Sequence, residues 1–381
     1  MSPPARAAAL FSLTLACVEY RSAPLPGATA NPPVEVVAGV AHTCARMMDG
    51  SVRCWGDNQY GQLGDGTTTA RARPVTVPGI RDAAAIVAGE GHTCALLGDG
   101  TVRCWGRNAD GQLGVSVIDR SYTPVTVQNL PAADTLVAGN AHTCVILRDD
   151  RTVRCWGLND EGQLGDNATK NQDTPVLVRG LTGAIGLAAG ERHTCARLMA
   201  GGAQCWGINS DGELGDGTRT SRLVAGTPVV GLGAIDAIVA ANHHTCVRLM
   251  DQTVRCWGEN GDGQLGDGSA IERPMPVAVQ GVAMAIAVRA GATHTCALLD
   301  EQTVRCWGRA AEGQLGEVRV ASKGATLRSP GLTNVEEIAA GGLHSCARLN
   351  DGSVWCWGAN GQGQLGDGST IPRPMPVRVA W

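Results

Sequence analysis

Seven copies of a His-Thr-Cys tripeptide, one with serine in place of threonine, put Cys44, Cys94, Cys144, Cys195, Cys246, Cys296 and Cys346 at intervals of 50, 50, 51, 51, 50 and 50 residues. A fixed period of that size is the mark of one supersecondary unit stacked many times, as in a propeller or solenoid. It also removes the usual objection to a chain of 381 residues forming one unit. Stacked repeats need no single core larger than the ~250 to 300 residues at which ordinary cores stop growing.

A second cysteine follows each of the first, at Cys54, Cys104, Cys155, Cys205, Cys256, Cys306 and Cys356, always inside Cys-Trp-Gly. The separation is ten residues in six repeats and eleven in the third. Between the two lies a turn signal, such as Asp49-Gly50 or Asp99-Gly100, flanked by apolar and β-branched residues, which is the pattern of a β-hairpin. If Met48-Asp49-Gly50 is a three-residue loop with Gly50 left-handed, Met47 faces Ser51, Arg46 faces Val52 and Cys44 lies opposite Cys54. Directly opposed positions bring Cβ atoms within disulfide reach. The longer third repeat fits a loop with one more residue at 148–152. Each bridge is expected to contribute about 3 kcal/mol by the chain-entropy argument. Zinc held by His42, Cys44 and Cys54 is the competing reading, and it requires seven identical sites.

Beyond the hairpin, each repeat continues as in Gly56-Asp57-Asn58-Gln59-Tyr60-Gly61-Gln62-Leu63-Gly64, then a variable stretch, then a strand such as Pro74-Val75-Thr76-Val77. The next repeat opens with an apolar strand such as Ile86-Val87-Ala88-Gly89. Four strands per repeat, seven repeats and 52 glycines with only 3% aromatic residues describe an all-β, turn-rich, seven-bladed β-propeller of four-stranded antiparallel blades. The repeat, with its Ala-Gly, His-Thr-Cys-Ala, Cys-Trp-Gly and Gly-Gln-Leu-Gly elements, resembles that of the regulator of chromosome condensation family over residues 35–381. The resemblance implies a seven-bladed propeller, in agreement with the strand count. Local departures fall at Gly212-Glu213-Leu214-Gly215, where glutamate replaces glutamine, at Ala310, where asparagine is lost, and at Val115 and Glu317.

The remaining segments suggest an address. Residues 7–16 are an apolar run too short to span a bilayer, Cys17 follows it, and 18–34 is a Pro- and Ala-rich linker. Read with fifteen cysteines and no C-x-x-C spacing, this predicts a bacterial export signal over 1–17, with Cys17 as a lipidation site and possible membrane tether or, alternatively, simple secretion. The expected location is therefore the outer membrane, cell surface or periplasm. With 31 basic against 35 acidic residues there is no basic stripe for phosphates, so no nucleic-acid partner is expected.

The recurring Trp and His residues are expected to be scaffold: a residue needed in every blade packs blade on blade, and no recurrent serine or carboxylate completes a catalytic triad. No catalytic residue, metal or cofactor is expected. The Asn- and Asp-rich loops resemble calcium loops only faintly and are read as turns. In such blades the loops between first and second and between third and fourth strands share a face, which gathers the unshared residues Glu90, Asn140, Glu191, Arg192, Asn242 and His243. Tyr60, Glu90, Arg120, Tyr122, Arg192, Arg219, Arg222 and His243 are the candidate partner-binding residues. The main expectation is a monomeric, non-enzymatic exported scaffold that binds a protein or cell-envelope component. The alternatives are guanine-nucleotide exchange on a small GTPase, as the family resemblance implies, and a propeller enzyme acting on a polysaccharide.

Overall fold

The computed structural model describes residues 31–116, 118–317, 327–328 and 331–381. The proposed signal, Cys17 and most of the linker lie outside the described residues. The first blade is built from β1 (Pro33–Ala38), β2 (His42–Met47), β3 (Val52–Gly56) and β4 (Arg71–Thr76), paired antiparallel in that order. The unit recurs to give seven sheets, six of four strands and one of three, each made of consecutive strands. The all-β, seven-bladed propeller expected from the repeat is the observed fold.

The hairpin register is the one read from the sequence. Arg46 pairs with Val52 and Cys44 with Cys54, and Gly50 sits at φ 77°, where a side chain would be strained. Asp49 Oδ1 accepts bonds from Ser51 N and Oγ at 2.9 and 2.6 Å, which closes the turn. In the third blade Leu147 N bonds Thr152 O and Arg151 takes the left-handed position at φ 57°, so the extra residue is absorbed in the loop and Cys144 still faces Cys155. Every blade carries its disulfide: 44–54, 94–104, 144–155, 195–205, 246–256, 296–306 and 346–356.

Blade four departs from the plan. Its three strands are Ala184–Ala189, His193–Leu198 and Ala203–Gly207, and the fourth is reduced to isolated bridges Gly207 to Arg222 and Gln204 to Pro228. Arg222 and Pro228 stand six positions apart where the corresponding Arg273 and Ala278 of blade five stand five apart, and the extra residue breaks the ladder.

The core is divided into seven clusters that lie between blades. In each, the disulfide and apolar residues of one blade pack against the tryptophan of the next, for example Cys44, Cys54, Leu63 and Ile86 against Trp105. The last cluster joins Cys346 and Cys356 to Trp55 of the first blade, with Trp381 edge-on to Trp55 at 5.7 Å. Burying roughly 200 Å² per tryptophan at about 25 cal/mol/Å² contributes on the order of 5 kcal/mol each, as an upper bound. Among the described residues no strand is exchanged between the first and last blades. Val36 stays in β1, and its amide donates to Glu337 Oε2 of the last blade at 3.1 Å.

The histidines form a second ring. Each imidazole Nε2 lies within hydrogen-bond distance of a hydroxyl on the following blade: His42 to Thr93, His92 to Thr143, His142 to Thr194, His193 to Thr245, His244 to Thr295, His294 to Ser345, and His344 back to Thr43. Each hydroxyl donates its single proton to a backbone carbonyl, as Thr93 does to Gln62 O at 2.8 Å, so it must accept from Nε2–H. Nδ1 is therefore unprotonated, and no partner for it exists among the described residues. A second proton would become an orphaned buried donor. Gly39 is needed beside it, because a Cβ there would lie 2.4 Å from His42 Cε1 and 2.5 Å from Gly89 O.

Burial accordingly pushes His42, His142, His244 and His294 down to about 3 and His92, His193 and His344 down to about 4. These groups stay neutral when folded but titrate near 6.5 when unfolded, so their stabilising effect is complete above 6.5 and is lost as pH falls toward the folded values. Each contributes a slope of about 1.4 kcal/mol per pH unit inside that window. The midpoint of urea unfolding should therefore fall steeply from pH 6.5 to 5, with several protons taken up on unfolding. A midpoint unchanged across that interval would contradict the neutral ring.

Candidate functional site

Once the ring has used the repeated polar groups, what remains for a partner is what the blades do not share. The asparagine of each Gly-x-Asn motif holds its own loop: Asn58 Oδ1 accepts Leu63 N at 3.0 Å while Nδ2 donates to Thr67 O and Thr69 O at 3.1 Å. The Asp-Gly that follows is likewise engaged. Asp65 Oδ1 accepts Thr67 N and Oγ1 and its Oδ2 pairs with Arg71 at 3.1 Å, a latch repeated as Arg222–Asp216, Arg273–Asp267 and Arg373–Asp367. The calcium-like loops are thus internally bonded turns. Arg222, singled out from the sequence as a partner contact, belongs to this repeated latch.

The blade-specific residues meet where blades three, four and five adjoin. Glu191 and Arg192 come from the loop before the strand His193–Leu198, Asp211 and Glu213 from the loop after Ala203–Gly207, and His243 from the loop before His244–Leu249. His243 Nε2 lies 3.3 Å from Glu191 Oε2, and its Nδ1 lies 3.2 Å from Glu213 Oε1 and 3.5 Å from Asp211 Oδ2. Arg192 pairs with Asp160 of blade three and reaches Glu191 at 3.6 Å. Arg219 pairs with Glu272 at 2.8 Å.

Glu213 explains the cluster. In the other blades this position is glutamine, whose Oε1 accepts a loop amide, as Gln62 accepts Tyr60 N at 2.9 Å. Glu213 keeps that bond, from Asp211 N at 2.9 Å, but its other oxygen now needs a donor. His243 supplies it from the next blade. The fully buried carboxylate and the imidazole, 29% exposed, form a compensated pair across the blade junction.

The electrostatics follow. Hydrogen bonds to Glu191 and Glu213 push His243 up to about 10, so it is an imidazolium at neutral pH. Burial, the largest single influence, raises Glu213, but the bond from His243 and the bonds from backbone amides together outweigh it and leave it below the usual carboxylate range. Its bond to His243 holds Glu191 low as well. Burial, with Glu213 and Glu272 nearby, pushes Asp211 up, and burial also pushes up Glu259, which makes no ion pair among the described residues. The outer rim is therefore acidic and under-compensated. Asp211, Glu213 and His243 offer three ligand atoms within 4.8 Å of one another, but His243 Nδ1 already donates, so a metal would have to displace that proton.

The sequence had singled out Arg192 and His243, and the structure brings them together. Arg219 borders the same rim through Glu272. Tyr60, Tyr122 and Arg120 lie elsewhere, in blades one and two: Tyr60 stacks under Arg107 at 5.6 Å and Tyr122 covers Gly61. Glu90 is exposed, its amide bonded to Asn140 O at 3.0 Å. Asp160, Asp211, Glu213 and Glu259 were missed. The signal for Glu213 was present as a glutamine-to-glutamate departure, but it was read as a loop disturbance.

The sequence pattern of the RCC1-like domain matches residues 133–381, well over half of the chain, and that of the regulator of chromosome condensation (RCC1) repeat matches 34–62 with 83–112 and, in a second form, 49–96 with 99–146. The chain belongs to the RCC1-like domain family. Among curated relatives, the human E3 ubiquitin-protein ligase HERC2 is 28% identical over 258 residues, which are 64% of this chain and 5% of HERC2. This RCC1-like chain thus corresponds to a small part of that relative. Yeast RCC1 (Prp20), solved bound to Kap60, superposes with a TM-score of 0.76 at 20% identity over 93% of this chain and 85% of that one. Prp20p of Saccharomyces cerevisiae, described with its binding properties to Gsp1p and histones, gives 0.75 at 22% identity over 92% and 87%.

These matches overturn the exported reading. The named relatives are eukaryotic, and the proteins named with them are Kap60, Gsp1p and histones, so the bacterial lipoprotein, its cell-surface, secreted or periplasmic location and its envelope partner are all withdrawn. The error had a physical source. Opposed positions on a hairpin bring the thiols together by register, so the cysteine spacing identifies the blade and names neither an organism nor a partner.

The Glu213–His243 pair is open to direct measurement. Because the folded pKa is raised above 6.5, its stabilising effect is complete below 6.5 and fades as pH rises toward about 10. An NMR titration should show the His243 ring still charged at pH 8. Glu213→Gln, which restores the residue of the other blades, should lower the midpoint by at least one unit. A midpoint that does not move would show that the pair does not hold the charge.

Proposed function

We propose that this chain is a non-catalytic regulator of a small GTPase, promoting guanine-nucleotide exchange by binding through the loops of blades three to five. The observation that carries the reading is membership of the RCC1-like domain family, in a closed ring whose repeated hydroxyls, indoles and imidazole Nε2 atoms bond from blade to blade and so leave the blade-specific loops for a partner. The envelope scaffold that the cysteines suggested is not retained.

Exchange of this kind needs no nucleophile. A protein that binds the nucleotide-free GTPase more tightly than the nucleotide-bound form must, by linkage, weaken nucleotide binding by the same factor. A thousandfold effect on release requires about 4 kcal/mol of differential contact, within the reach of a few well-placed charged groups. The under-compensated rim at Asp211 and Glu259, with Arg192 and Glu191 behind it, suits a partner that presents lysine or arginine side chains. The ligase activity named for HERC2 belongs to that much longer protein.

Gsp1p and a panel of small GTPases, each loaded with a fluorescent GDP, provide the test. The purified chain should accelerate release from at least one of them by tenfold or more, and the double variant Asp211→Asn, Glu259→Gln should lose most of that acceleration while keeping the thermal midpoint. If neither acceleration nor binding to nucleotide-free protein is seen for any member, the reading is wrong.

A further inference from the structure

The first strands of the blades surround an axial channel, and one residue in it does not match the others. At the level where each first strand pairs with the first cysteine of its blade, the channel-lining residue is valine in four blades (Val37, Val87, Val137 and Val239), alanine in two and Arg289 in the sixth. Arg289 is exposed, and it is the one charged residue among the described residues that line the channel, the others being small and apolar. The cavity is about 220 Å³. Toward the loop face it is bounded by the Gly and Ala ring, and a hydrogen bond from Asn140 Nδ2 to Asn242 Oδ1 at 3.3 Å joins blades three and five there.

The guanidinium is nearly uncommitted. Its one hydrogen bond is from Nη1 to the carbonyl of Val288 at 3.0 Å, and no carboxylate pairs with it among the described residues. Glu337 is the acid whose field reaches it, but Glu337 Oε2 is occupied by Val36 N at 3.1 Å and Arg348 Nε at 3.2 Å. Glu35, farther along, is paired with Arg46 at 2.7 Å. Arginine has five N–H donors in a planar fork, and a carboxylate is the small anion that fits it with two parallel bonds.

We propose that the axial channel binds a small amphipathic carboxylate, its acid group paired with Arg289 and its apolar body among the valines and alanines. Size sets the class: a dry apolar cavity of about 150 Å³ holds a benzene ring, so this one takes a ring or a chain of about six carbons plus the acid group. Neither the family membership nor the exchange reading enters this assignment, so the two stand or fall separately.

Benzoate and 3-phenylpropanoate are the probes, with benzyl alcohol as the uncharged control, followed by saturation-transfer NMR and calorimetry on the full chain. Ligands of this size should bind with Kd on the order of 0.1–1 mM. Arg289→Val, which installs the residue of four other blades and should keep the thermal midpoint, is expected to weaken the acids at least tenfold and leave benzyl alcohol unchanged. Arg289→Lys should retain part of the affinity. Equal binding of acid and alcohol, equal binding to the Arg289→Val variant, or binding only of a peptide's terminal carboxylate would each overturn the proposal.

Discussion

The structure depends on one polar junction used seven times. At each blade boundary the backbone carbonyl of the Gly-Gln-Leu-Gly glutamine, or of Glu213 in blade four, accepts two bonds from the following blade, one from the His-Thr-Cys hydroxyl and one from the tryptophan Nε1, as Gln62 O does from Thr93 and Trp105 at 2.8 and 2.9 Å. The histidine then donates into the same hydroxyl. A carbonyl with both lone pairs used, a hydroxyl with its proton and an acceptor position used, and a neutral imidazole of fixed tautomer leave no choice of arrangement. The geometry specifies which blade follows which, and at what distance.

The apolar contacts depend on that junction. Trp105 can lie against the Cys44–Cys54 bridge only because its indole nitrogen is already satisfied, since a buried indole N–H without an acceptor costs roughly 1–3 kcal/mol. The disulfide in turn fixes the hairpin that carries histidine at one end and tryptophan at the other. Because the junction between blades seven and one uses the same atoms, through His344, Thr43, Trp55 and Gln364, the ring closes without exchanging a strand. A closed ring also removes the terminal repeat, which in an open array must be capped.

This explains why the fold was legible in the sequence and the site was not. Period, hairpin register and disulfide pairing are set by residues present seven times, so the repeat itself supplies the comparison, and even the longer turn at Arg151 could be placed. The irregular fourth strand of blade four could not, because the 51-residue interval after Cys195 reveals one extra residue but not which ladder it breaks. The latch at Arg222 was hidden for a related reason: an arginine in a variable loop looks free until its Asp216 is seen beside it. The export reading failed more broadly, since the apolar run 7–16, Cys17 and the cysteine count on which it rested do not identify a relative, and the relatives found are eukaryotic.

Departures from a repeat divide into those answered inside the chain and those that are not. Glu213 puts a buried negative charge where the other blades have an amide, and the answering charge is found one blade on, at His243. Leaving such a carboxylate unpaired in a buried position would cost several kcal/mol, so the two changes are physically one change. Arg289 is the opposite case: a charge placed among valines, with the nearest acids already paired to Arg348 and Arg46. The exposure of Arg289 lowers the penalty of that placement. A charge answered within the fold shapes the surface around it, as the imidazolium shapes the acidic rim. An unanswered one at the wall of an apolar channel favours an occupant of the opposite sign.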